Sequence, residues 1–414
     1  MILWTFDGNT NDFSGVYNGQ PINNPTYVSP GYTGYGSMLH LQSALNQSVV
    51  VETPVLNLGF TSFTMEAWIY PMTVSSAGDD NIFSQCQALA TDQCLHFVLA
   101  SRYLRMRFFG DGSQGVTPFT ANKWYHIACV YDYTLTAQIV YVNGVRDGFS
   151  SPSGPYQGTG GIFEIGTASV DYGGVFTPFN GYIDQVAFVP RAKNATEVLD
   201  DATLVAYYSF DNGSYLDFGP LWINGTGVGV SPVVGRISQA LSFATTHSYF
   251  QATGFTLLGT VNQSYSISLW LKPQAVSGGA TIVHVSSSTI GTGWCIPMIG
   301  LSASGQIITQ SWNNTAVAVT GPILTLNVWT HVVETYSVMN GIRMYLNGTL
   351  YGSTGAFFYM ASNVPNTITL GNPLNGTSCT SALFVAGQYQ GAMDEFRLYS
   401  RELNSTDVYS LANP

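Results

Sequence analysis

Four aspartates recur in pairs that could hold a cation. Asp7 and Asp211 each follow a short apolar run, and Asp184 and Asp394 each open a later one. If the strands of each pair are neighbours, two carboxylates meet. Hard oxygen ligands of this kind, completed by loop carbonyls and by Asp12 or Asp217, suit a structural calcium ion. The competing reading is that each Asp only accepts hydrogen bonds from turn amides. His126 and His331 each stand two residues after a Trp, with no His, Cys or Ser partner near in sequence. That setting predicts a histidine hydrogen-bonded within a sheet, in preference to a metal ligand or general base. No G-x-S-x-G elbow presents a serine nucleophile, and no glycine loop is built to cradle phosphate.

The five cysteines show no C-x-x-C spacing and none lies beside a His pair, which fits an oxidising compartment better than a metal site. Cys86 and Cys94 flank a short polar stretch between two strand-like runs and are expected to close a hairpin. Cys295 and Cys379, both beside loop-like stretches, form the expected second pair, and Cys129, within an apolar run, is left as a buried thiol.

Only 8% of residues are Asp, Glu, Lys or Arg, against roughly 25% in an ordinary globular protein. The net charge of -11 comes from scattered acids, and the twelve Lys and Arg form no basic stripe, which argues against nucleic acid as a partner. The most apolar stretches, such as 315–326, are broken by Thr, Gly and Pro and fall short of a membrane span. Asn-x-Ser/Thr sequons occur at Asn46, Asn194, Asn212, Asn224, Asn262, Asn313, Asn347, Asn375 and Asn404. That is more than the roughly five expected from the composition. N-linked glycans there would supply solubility that charge does not. The plainer alternative is that Asn, Ser and Thr are simply turn residues.

The elements that must position these groups occur twice. Leu3-Trp4-Thr5-Phe6-Asp7 returns as Tyr207-Tyr208-Ser209-Phe210-Asp211, and Phe63 to Pro71 (FTMEAWIYP) returns as Tyr265 to Pro273 (YSISLWLKP). Trp124-Tyr125-His126 with Asn143-Gly144 returns as Trp329-Thr330-His331 with Asn347-Gly348, and Gly181 to Thr196 returns as Gly391 to Thr406. Phe63, Met65, Ala67 and Ile69 alternate with more polar neighbours, the period of a strand with one buried face. Each Asn-Gly favours a tight hairpin because both central residues need positive φ. One short helix per copy is predicted, near 195–200 and 406–411, with Thr196 and Ser405 or Thr406 as caps. The expected division is 1–202 and 203–414, and the expected fold class is all-β, two consecutive antiparallel sandwiches.

Taken in order, the F-D, W-I-P, W-x-H, Y-V-N-G and I-D motifs resemble those of laminin-G-like (concanavalin A-like) jelly-roll domains, over both copies and nearly the whole chain. The resemblance implies two antiparallel sheets of about six or seven strands per domain, with first and last strands adjacent. It also implies a structural calcium at the paired aspartates. Related laminarinase-type glucanases carry an E-x-D-x-x-E triad on the concave face. Here Glu164 has no acidic partner at strand spacing, and Asp394 and Glu395 are adjacent and so point to opposite faces. Trp68, Tyr70 and Trp270 lie on the exposed parity and are candidates for stacking on sugars, unless they belong to the fold itself.

A non-enzymatic, extracellular or cell-surface structural or adhesive glycoprotein is therefore expected, with a carbohydrate-binding lectin as the alternative and a glycoside hydrolase as the least favoured class. Met1 leads straight into a strand and Leu411 to Pro414 ends where the first copy's 201–203 leads onward. These ends suggest a repeating unit of a filament or tandem array, with self-association or neighbouring domains as partners.

Overall fold

A computed structural model describes residues 1–34, 36–170, 176–379 and 383–414. The chain divides into two compact units, Met1–Ala202 and Thr203–Pro414. Each is a sandwich of two sheets. In the first unit one sheet runs Val145–Ser150, Ala137–Val142, Tyr125–Asp132, Phe63–Pro71, Gly181–Val189, Met38–Leu41, Thr26–Val28, with Ile2–Trp4 also on Gly181–Val189. The facing sheet runs Gly112–Pro118, Tyr103–Arg107, Cys94–Ala100, Asp79–Cys86, Phe163–Ile165, Ser48–Val51, Gln20–Ile22. The second unit repeats this plan, with Leu204–Tyr208 on the last strand, Gly391–Tyr399. First and last strands are therefore neighbours in both copies. Among the described residues two pairings depart from the antiparallel expectation: Phe176–Pro178 runs parallel to Asp79–Cys86, and Thr281 forms an isolated parallel bridge with Gln388.

The alternation seen in the sequence sets the core. Phe63, Met65, Ala67 and Ile69 point inward and join Trp4, Phe83, Phe97, Ile127 and Tyr131 in one buried cluster. Each fully buried side chain of this size contributes roughly 2 kcal/mol or more. The opposite face of the same sheet is covered by a helix, α1 (Ala195–Thr203), whose Val198 packs on Ala128, Val130 and Tyr141. In the second copy α2 (Ser405–Ala412) lays Val408 on Val333, Tyr345 and Tyr399.

Both helices are capped one or two residues before the expected positions, at Asn194 and Asn404. Asn404 accepts from Thr406 N and Asp407 N while Asp407 bonds back to Asn404 N, and Asn194 with Glu197 does the same. Each asparagine has an acid three residues on that completes a capping box, so Thr196, Ser405 and Thr406 fall inside the helices. The hairpins at Asn143-Gly144 and Asn347-Gly348 have positive φ at both residues. Gly144 has a second reason to be glycine, because a Cβ there would come 2.9 Å from Leu199 Cα of α1.

Cys86–Cys94 and Cys295–Cys379 are disulfide-bonded, and Cys129 is a buried free thiol. The position equivalent to Cys129 in the second copy is Glu334, since Cys129 pairs with Met65 and Glu334 with Ile267. Glu334 is fully buried and accepts from Tyr265 OH at 2.9 Å. Burial raises its carboxyl well above the usual range. Among the described residues no helix is long and apolar enough to cross a membrane.

Candidate functional site

The paired aspartates hold one loop in each domain. Directly after Asp184 the last strand slips register, with Gln185 at φ 51, and the bulge turns the carboxylate toward Tyr32. Asp184 Oδ2 accepts from Tyr32 N at 2.7 Å, and Asp7 Oδ1 accepts from Ser37 N at 2.8 Å. The second copy repeats the device: a bulge with Glu395 at φ 53, Asp394 Oδ2 accepting from Arg236 N (2.7 Å) and Ile237 N (3.0 Å), and Asp211 Oδ1 from Gln239 N (2.9 Å). Glycines let the loops approach, since a Cβ on Gly235 would lie 2.6 Å from Asp394 Oδ2 and one on Gly36 would overlap Asp7 Oδ1. Asp12 and Asp217 each hold a turn of their own, through Tyr17 N and through Tyr207, Gly219 and Ile223 N.

Burial, with the nearby Asp7 charge adding to it, raises Asp184 to about 8, and burial raises Asp394 to about 7. Asp394 Oδ1 is buried with no hydrogen-bond partner. In the first copy both Asp184 oxygens accept backbone amides, from Tyr32 and Gln185, so among the described paired aspartates only Asp394, in the second copy, has a buried oxygen without a partner. Among the described residues no three His, Cys, Asp or Glu side chains converge, so loop carbonyls and water would have to complete the shell of a calcium ion.

The same clamp explains why Trp68 and Trp270 are not open platforms. They are 8% and 5% exposed despite their outward parity. Tyr32, anchored through its amide by Asp184, stacks on Trp68 at 3.7 Å, and Arg236, anchored by Asp394, places its guanidinium 4.7 Å over Trp270. Tyr70 is half-buried against Trp124 and Tyr182. Beside Trp68, His126 Nε2 lies 3.5 Å from Glu66 Oε2, and His331 Nε2 is 2.9 Å from Ser268 Oγ. Burial lowers both imidazoles to about 3, so both are neutral; His331 hydrogen-bonds Ser268 within the sheet as expected, whereas His126 only lies near Glu66, whose Oε2 has no hydrogen-bond partner. Glu66 also binds Lys193, which reaches Asp201 at 2.7 Å. The groups beside the two histidines, Glu66 and Ser268, sit two residues before each Trp on the neighbouring strand, a cross-strand relation that spacing along one strand does not reveal.

On the outer face of the facing sheet Glu164 is buried. It accepts from Ser84 Oγ (2.7 Å), Ser169 N (2.8 Å) and Ser169 Oγ (2.6 Å). Both of its oxygens are thus occupied by serine donors.

The second domain carries a cleft of about 600 Å³ that motif reading missed. Its polar lining includes His247, Tyr249, Thr289, Asn372 and Gln388. Asn372 Nδ2 donates to Gln388 Oε1 at 2.7 Å, and Gln388 Nε2 donates to Ser248 O and Oγ at 3.0 Å. These residues come from four separate segments, which is why no local signal marks them.

No curated protein matches the chain. Among solved structures, domain 4 of AbnA, a GH43 extracellular arabinanase from Geobacillus stearothermophilus, in complex with arabinotriose, is similar at 21% identity, covering 51% of this chain and 98% of that one, with a TM-score of 0.37. The binding domain of botulinum neurotoxin DC in complex with rat synaptotagmin II is similar at 15% identity, covering 52% of each chain, with a TM-score of 0.38. The botulinum neurotoxin serotype D binding domain gives 16%, 51% of each chain and 0.39, so this chain spans about half the length of the toxin domains. A family model described as the concanavalin A-like lectin/glucanases superfamily matches twice, over residues 45–199 and 244–409. Carrying that match in both of its repeats, with the sandwich and adjacent end strands described above, the chain belongs to the laminin-G branch of this superfamily.

Proposed function

We propose that the chain is an extracellular glycoprotein that acts by binding and not by catalysis, with carbohydrate held in the second domain's cleft. The cleft is the observation that carries this reading. Its side-chain amides, hydroxyls, imidazole and phenol suit a neutral polyhydroxylated ligand. The sealed Glu164 supports the absence of glycosidase chemistry, and two disulfides favour an oxidising compartment. Seven of the nine sequons fall in 203–414, the half with the fewer charged residues, as expected if glycans replace charge in keeping it soluble. Asn375 and Thr377 of one sequon lie on the cleft lining, so a glycan there would restrict access. On a glycan array the N375Q protein is expected to bind a neutral oligosaccharide, and Q388A to lose about tenfold or more in affinity, one charge-free anchor with its network. Release of reducing ends from that oligosaccharide would overturn the non-catalytic reading.

Calcium is proposed as a structural ion at Asp7/Asp184 and Asp211/Asp394. Added calcium should raise both domains' melting temperatures and a chelator should lower them. D184N should abolish the shift in the first domain alone; an unchanged melting curve in the native protein would leave the clamps as amide acceptors only.

Assembly into a filament is a second reading, favoured by edge strands that expose apolar side chains: Leu350 and Tyr351 on Thr349–Ser353, Val145 and Phe149 on Val145–Ser150. Electron microscopy of native material distinguishes an axial repeat from dispersed monomers.

A further inference from the structure

Beside the first strand of the second domain, Tyr207, Ser209, Asp211, Asn212, Ser214 and Phe218 line a cleft of about 550 Å³. Two of the six are the acceptor and the hydroxyl of one sequon, Asn212-Gly213-Ser214. Asn212 is exposed, in left-handed backbone at φ 56. Phe218 is 56% exposed, its backbone tied to the first strand by Phe218 N to Tyr207 O at 2.8 Å, and its ring 6.2 Å from that of Tyr207. The Tyr207 ring is fixed. Its hydroxyl donates to Glu395 at 3.0 Å, and the Arg397 guanidinium sits 4.0 Å from its ring centre.

The first domain shows the same frame without these features. Phe13 N bonds Leu3 O at 2.7 Å and Phe13 is 72% exposed, but Leu3 stands in place of Tyr207 and Gly8 in place of Asn212. The fixed aromatic wall and the sequon therefore arise together, in one copy.

We propose that this cleft seats the innermost sugars of an N-linked glycan on Asn212. The C–H face of a pyranose ring packs on Phe218, and its hydroxyls and acetamide meet Ser209 and Asp211. The inference rests on the glycoprotein reading above. A tethered sugar faces the cleft at an effective concentration in the millimolar range, which outcompetes free ligands of ordinary weak affinity. The glycan in turn shields an aromatic ring that water otherwise contacts.

The test uses the full chain secreted from glycosylating cells, with site occupancy and native-state release by peptide N-glycosidase followed by glycopeptide mass spectrometry. Asn212 is expected to be occupied and released about tenfold more slowly than Asn347, a sequon at an exposed hairpin turn, with protection scaling as the undocked fraction. F218A should bring Asn212 to the Asn347 rate, Y207L should do so in part, and F13A should change neither. An unchanged Asn347 rate certifies that each variant is folded. If Asn212 is occupied and F218A leaves its rate unchanged, or if Asn212 is empty while other sequons are filled, docking is overturned and the glycoprotein reading stands. If every sequon is empty, both fall. Micromolar binding of a free glycan to the unglycosylated S214A would overturn the tethered source and assign the cleft to an external sugar.

Discussion

Lys193→Met is expected to destabilise the first domain by about 1–3 kcal/mol near neutral pH, because it leaves the buried Glu66 carboxyl without its donor. Lys193 Nζ contacts Glu66 Oε1 and lies 2.7 Å from Asp201 Oδ2, and Glu66 is almost fully buried between the sheet and α1. Burial, aided by the Asp201 charge, raises Glu66 to about 8, while Lys193 holds it down. A raised acid stabilises the fold fully below its unfolded value and progressively less as pH climbs through the folded one. The group's contribution therefore declines between about 4.5 and 8 in the native protein. In K193M the decline should extend above pH 8, so the variant's deficit is level from pH 5 to about 8 and grows beyond it. The second domain supplies the control: Ser268 and Leu403 occupy the positions of Glu66 and Lys193. The double change E66S/K193L should recover most of the loss in urea titrations. A K193M deficit that is small and flat with pH would show that Glu66 is solvated.

Removing the Cys295–Cys379 bridge, as C295S/C379S, should cost the second domain about 4.5 kcal/mol by the chain-entropy estimate, because it closes a loop across 84 positions. The Cys86–Cys94 bridge spans 8 and should be worth roughly 2.5 kcal/mol on the same estimate. Calorimetry in a reductant should therefore show the second transition moving further than the first. Equal shifts, or a larger one in the first domain, would mean that loop length does not govern these bridges.

The repeat, the strands and the hairpins were legible because their signals are local: alternation in Phe63–Pro71, positive-φ Asn-Gly turns, a WxH strand. The bulges that aim Asp184 and Asp394 were not, since they arise from pairing with Phe63–Pro71 and Tyr265–Pro273 more than a hundred residues away. For the same reason parity marked Trp68 and Trp270 as outward-facing correctly, yet could not show that Tyr32 and Arg236 cover them. Asn194 and Asn404 were read as sequons when they are also helix caps; the two roles are compatible, because the cap uses the amide oxygen and a glycan the nitrogen. The cleft around Gln388 required four segments to meet and had no signal in any one of them.

The difference between Cys129 and Glu334 bears on how two similar neighbours fold without exchanging parts. Adjacent homologous domains are prone to swapping equivalent strands while both are open. Here the strand Thr330–Ser337 brings an acid that needs Tyr265 OH, whereas the strand Tyr125–Asp132 brings a thiol opposite Met65. Inserted in the wrong copy, Glu334 would face Phe63, which has no hydroxyl to offer, and would be buried without its donor. That mismatch penalises the swapped pairing by roughly 1–3 kcal/mol or more, while each correct pairing stays satisfied. The two copies thus have cores that recognise their own strands.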